Sequence, residues 1–115
     1  MQSQTPIATG ATVAVAPTRT LIIGPVRLTR GQTLAVSLVN NAGDGQTLSA
    51  WGETAPTETA AKSDPIGMGL DAVVDGKSGV GSLTVPAPQW AWVYGTAGGA
   101  GLNCAAYGWT LADHP

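Results

Sequence analysis

The residues of this chain that could carry acid–base chemistry are few and widely scattered. Asp71 with Asp75, and Glu53 with Glu58, are the nearest to paired carboxylates. Such a pair serves glycoside hydrolysis when it stands ~5 Å apart across a cleft, or somewhat farther for an inverting enzyme. Four residues of strand separate Asp71 from Asp75 by about 13 Å, so these acids read as turn or solvated residues. The only histidine, His114 beside Asp113, lies second from the C-terminus, where little is available to fix the tautomer that a triad base needs. Asp44 and Asp75 could offer oxygens to calcium, but the acidic density of a calcium loop is missing. One cysteine and one histidine are too few for a zinc site. The glycine-rich GTAGGAG at 95–101 joins two strand patterns, and no helix N-terminus follows it to meet a phosphate. The chain is therefore expected to be non-enzymatic, with no cofactor and no metal.

The aromatic residues are better organised. In QWAWVYG, at 89–95, Trp90, Trp92 and Tyr94 fall at every second position, and so share one face of a strand with Ala91 and Val93 behind them. Such a row could stack on a sugar ring, or it could be covered by protein. With no Phe in the chain, exposing three aromatics of ~150–250 Å² each would forfeit on the order of 10 kcal/mol of apolar burial. Burial is favoured, with one side of the strand against the core and the other against a neighbouring subunit. Tyr107, Trp109 and Leu111 form a matching row on the last strand pattern, while Trp51, next to a charged segment, is the aromatic expected to be most exposed.

Only 10% of the 115 residues are charged, against about 25% in ordinary soluble domains. A surface so poor in charge points to cover by other subunits, hence to a homo-oligomer, with a trimer as one form. Five basic residues and a pI near 4.9 disfavour nucleic acid, and membrane binding fails for want of a basic amphipathic helix. Cys104 stands alone, excludes an internal disulfide and reads as a small buried hydrophobe. Arg19, Arg27 and Arg30 are the only charges in the first 43 residues, whereas residues 44–77 hold six acids against Lys62 and Lys77; complementary patches of this kind could register adjacent subunits.

The elements that must place these residues are strands. Gly and Pro recur every eight to twelve residues or so, and the runs between them alternate with period two. Leu34, Val36 and Leu38 line one face of GQTLAVSLVN. Turn clusters at NNAGDG (40–45), DGKSG (75–79) and GTAGGAG suggest three hairpins. With ATVAVA and TRTLIIG these predict about eight strands: one antiparallel β-sandwich domain of jelly-roll type over 11–115, preceded by an extended arm at 1–10. ETAPTETAAKSDP, at 53–65, is predicted to be a charged loop with a helical turn. No basic residue precedes IATGATVAVA, so a cleaved signal is not expected.

The MQSQTPIATG start, the Ala/Gly/Thr-rich strands and the terminal PAPQWAWVYGTAGGAGLNCAAYGWTLA together resemble the small all-β structural proteins of virions, in particular the head decoration or cement proteins of tailed bacteriophages. The likeness is one of style across most of the chain and holds no diagnostic motif. It implies a capsid-surface protein, made in the host cytoplasm, that binds the major capsid protein or other virion proteins as clustered subunits. Contact residues would be Gln4, Pro6 and Ile7 of the arm, Arg19, Arg27 and Arg30, and the aromatics Trp51, Trp90, Trp92 and Tyr94. The rival reading is a carbohydrate-binding module that stacks a glycan on Trp90, Trp92 and Tyr94.

Overall fold

The computed structural model describes residues 2–41 and 45–113 and contains eight strands, with no helix among them. Met1, Asp44 and His114, the last two considered above for calcium and for a triad, lie outside the described residues. The strands are β1 (Gln2–Val15), β2 (Thr20–Leu28), β3 (Thr33–Asn40), β4 (Leu48–Ala55), β5 (Ile66–Val73), β6 (Ser78–Thr84), β7 (Gln89–Ala97) and β8 (Leu102–Asp113). Their alternation does what the sequence pattern requires: Leu34, Val36 and Leu38 are fully buried, while Thr33, Ala35, Ser37 and Val39 between them face outward.

Pairing is nested and antiparallel throughout. β1 pairs with β8, β2 with β7, β3 with β6 and β4 with β5, so the chain runs as one long hairpin. Rolling that hairpin up adds β8 to β3 and β7 to β4. Two four-stranded sheets result, β1-β8-β3-β6 and β2-β7-β4-β5, hereafter the β8 sheet and the β7 sheet. This is the jelly-roll form of the β-sandwich, as the alternation and turn spacing predict. Overall dimensions are 45 × 32 × 20 Å, the short axis being two sheet layers with their side chains.

Two expectations about connectivity do not hold. The turn clusters before β4, β6 and β8 are not hairpins: each carries the chain from one sheet to the other, and β7 and β8 lie in opposite sheets. Turn residues set where a chain reverses; whether the next strand bonds to the last one or faces it across the core depends on which apolar faces must meet. The one pairing between consecutive strands is β4 with β5, across the charged loop at 56–65, which has turns in place of the predicted helical turn. Residues 2–10 are extended as expected, but they are paired within the chain. They form the first part of β1 and run beside β8 from Gln2 opposite Asp113 to Thr9 opposite Tyr107, because the last strand is long enough to template them.

The core fills the space between the sheets, with Leu28, Leu34, Leu38, Leu48, Leu70, Ala91, Val93 and Cys104 almost wholly buried. One flank is closed tightly where β5 leans on β6. A Cβ at Gly81 would collide with the Met68 carbonyl and with Leu70, and one at Gly79 would meet Val73 and Leu70 within 3.0 Å. At one end, buried Asn40 ties two crossings together: its Nδ2 donates to the carbonyls of Gln46 (2.8 Å) and Val73 (2.9 Å), and its main chain bonds to Gly76 and Lys77.

Candidate functional site

The outer face of the β7 sheet holds the aromatic row. Ala91 and Val93 point into the core, as the alternation requires, and Trp90, Trp92 and Tyr94 point away from it, opposite Ala55, Glu53 and Trp51 of β4. Trp92 and Tyr94 are nevertheless only 4% and 8% exposed, and the cover is supplied by the same chain. Ala60 of the β4–β5 loop packs on this cluster; Lys62 Nζ sits 4.3 Å from the centre of the Trp92 ring. The loop is pinned by Ser63, whose N–H donates to the Thr54 carbonyl at 2.7 Å while its Oγ accepts from the Thr54 N–H at 3.0 Å. Arg19 lies 3.7 Å over Tyr94, and Arg27 5.8 Å from Trp90. Each ring of the row thus carries a cation, an attraction worth ~0.5–2 kcal/mol depending on desolvation.

Glu53 organises this face. Arg19 donates to it twice, Nη2 to Oε1 at 2.7 Å and Nε to Oε2 at 2.9 Å, and the Trp51 indole N–H donates to Oε2 at 2.8 Å. The Arg19 hydrogen bonds, helped by the Trp51 bond and opposed by burial, hold the Glu53 carboxyl below the usual glutamate range; the same pair raises Arg19. The positive front and acidic middle of the sequence therefore meet within one molecule. Glu53 is a glutamate fully engaged by donors, and the rings beside it lie under cations instead of lying open to stack on a sugar.

The outer face of the β8 sheet is the opposite in character. Its four strands carry a single charged residue, Asp113 at the end of β8. Along β8 the outward row is Asn103, Ala105, Tyr107, Trp109 and Leu111, with the Tyr107 and Trp109 rings stacked at 6.5 Å and 15°. Beside it on β3, Ser37 stands opposite Tyr107 and Ala35 opposite Trp109, so a ridge of large side chains adjoins a trough of small ones. Val80 on β6, opposite Ser37, is 74% exposed. Gly10, at a bulge in β1, has φ of +106° and lies against the Tyr107 ring, where a Cβ would come within 2.8 Å.

The sequence-predicted contact residues divide between these faces. Gln4 and Pro6 lie opposite Leu111 and Trp109 at the margin of the uncharged face. Ile7, at a bulge, turns toward Ile23 and Gly108. Arg19, Arg27, Trp51, Trp90, Trp92 and Tyr94 form the capped face, and Arg30 is exposed in the β2–β3 turn. Trp51 is half-buried, not the exposed aromatic that its place in the sequence suggested. Sequence reasoning missed Glu53 as a hub and Lys62 as a cap, because both contacts join segments far apart in the chain. It also passed over Ala35, Ser37 and Val80; the signal available was the absence of charge from residues 1–18, 31–43 and 78–112. Cys104 is buried as expected, and burial pushes its thiol up to about 11. Asp71 is exposed, and the Asp75 carboxylate accepts from the Gly45 N–H at 3.0 Å.

No family model matches the sequence, and no curated protein sequence matches it. Solved structures do share its fold. All of this chain aligns with 33% of a chain in the structure of infectious bursal disease virus, Gx strain, at TM-score 0.59 and 8% identity. The Gt strain of that virus gives 0.51 and 9%, over 96% of this chain and 31% of the viral one. A subunit of Bacillus endospore appendages, described as disulfide-linked pili, gives 0.52 and 14%, over 96% of this chain and 84% of that one. The chain thus spans about a third of the viral chains it matches and most of the pilus one, and at these identities the likeness is one of fold: an eight-stranded sandwich shared with proteins of a virus and of a pilus.

Proposed function

We propose that this chain is a non-enzymatic structural component of a virus particle, a capsid-surface cement or decoration protein that binds capsid protein and associates with copies of itself. The observation that carries the reading is the uncharged outer face of the β8 sheet. A face that holds Tyr107, Trp109, Leu111, Val39 and Val80, and whose four strands carry no charge before the terminal Asp113, suits burial against protein far better than lifelong contact with water. The fold neighbours lend support in kind, since two come from a virus structure and one from a pilus. The linkage differs from that named for the pilus. Cys104 is buried within β8, so association here runs through surfaces and not through disulfides.

The non-enzymatic part of the proposal is supported by Glu53, the one buried carboxylate among the described residues, whose oxygens are already taken by Arg19 and Trp51. Residues 2–10 are the edge of the β8 sheet, so contacts to neighbours by Gln4, Pro6 and Ile7 would be made from that edge strand. The test is quantitative mass spectrometry, with immunogold labelling, of density-purified particles from a culture that expresses the gene. The chain should co-purify with particles at many copies each and label their surface. Recovery only in the soluble fraction would overturn the reading.

A further inference from the structure

We propose that the outer face of the β8 sheet is covered by the same face of a second copy of this chain, packed sheet on sheet about a two-fold axis that runs along the strands between β8 and β3. This deepens the proposed function and rests on its premise that the face is an assembly surface. Three observations select a second copy as the occupant.

Charge is the first. A charged partner surface would lose its hydration against this face and find no counter-charge in return, which is costly. The outer face of the β7 sheet, with Arg19, Arg27, Lys62 and Glu53, is excluded as a match for that reason. The uncharged surface on this molecule that complements the β8 sheet is the β8 sheet itself. Relief is the second. Tyr107 and Trp109 form a ridge on β8, and Ser37 and Ala35 the adjoining trough on β3. A two-fold axis along the strands between these two places the ridge of each copy over the trough of the other, whereas an axis across the strands would set ridge on ridge. Aligned packing of this kind at ~10 Å separation is an ordinary way for two sheets to meet. Area is the third. Strands of 14, 12, 8 and 7 residues at ~3.3 Å per residue and ~4.8 Å between strands span about 650 Å² in projection. Side-chain relief brings this toward the ~800 Å² per partner of a stable interface.

The experiment is sedimentation velocity with light scattering on the full chain and on Ser37→Arg, which sets a charge in the trough at an outward, half-exposed position. Wild type should be a dimer of twice its 11.5 kDa mass. Ser37→Arg should weaken association at least tenfold, with circular dichroism unchanged, and Leu21→Arg, on the other sheet, should leave it intact. Should Ser37→Arg fail to fold, Ser37→Cys with a short bismaleimide replaces it, since the buried Cys104 does not compete; a covalent dimer is expected, and none from Leu21→Cys. A wild-type monomer at all concentrations, a dimer that survives in folded Ser37→Arg, or cross-linking through Leu21→Cys alone would overturn the proposal. A chain that is monomeric yet loses particle binding on Ser37→Arg overturns the second copy and leaves the virion role standing. A two-fold dimer never found on particles does the reverse.

Discussion

At the scale of single residues, Glu53 sets the pH behaviour of the outer aromatic face. Its folded pKa lies below the unfolded value because Arg19 and Trp51 donate to the ionised form, so its stabilisation is complete above the unfolded pKa of ~4.3 and is lost as pH falls through the lower folded one. Arg19→Ala should cost about 1–2 kcal/mol at neutral pH, a figure held down because half of the Arg19 side chain is in water. Denaturant unfolding at a series of pH values should show the difference from wild type shrinking below that point; a difference that stays constant down to strong acid would rule this role out. Trp92, buried by its own chain, should cost about 3–5 kcal/mol on truncation to Ala. Cys104 should stay unreactive toward a thiol reagent at pH 8 until the protein unfolds, given its burial and a pKa pushed up to about 11; labelling of the native protein would contradict that. The alternation in QWAWVYG made the two faces of β7 legible from sequence. What covers the outer one was not, because the cover comes from Lys62 and Arg19, which no local pattern links to it.

At the scale of elements, the number of strands and their faces could be read from period-two runs and turn residues, but their partners could not. The same turn chemistry serves a hairpin and a crossing between sheets, and nested pairing is decided by burial of both faces at once. Two consequences can be measured. Gly81→Ala should lower stability by about 1–3 kcal/mol, since the added methyl would meet the Met68 main chain where β5 closes on β6; a neutral effect in thermal unfolding would mean that flank is looser than described. Removal of residues 2–10 strips β8 of its neighbour from Tyr107 onward and uncovers Ile23. The thermal midpoint should fall by on the order of 8 °C or more, whereas an unchanged midpoint would mean that the segment is an arm outside the fold.

At the scale of the whole molecule, the shortage of charge was plain in the composition, and it pointed to cover by other subunits. Its distribution was not legible, because β1, β3, β6 and β8 come from separate parts of the chain and only the roll brings them into one sheet. β7, equally free of charge, went to the other sheet and was covered internally. The aromatic row first read as an interface is thus largely covered by its own chain, and the proposed assembly surface lies on the opposite side. Hydroxyl-radical oxidation followed residue by residue across a range of protein concentration tests both halves of this account together. Trp92 should be protected at every concentration, and Trp109 and Tyr107 should become protected as concentration rises. Oxidation of Trp109 and Tyr107 that is the same at all concentrations, or ready oxidation of Trp92 in the dilute chain, would contradict it.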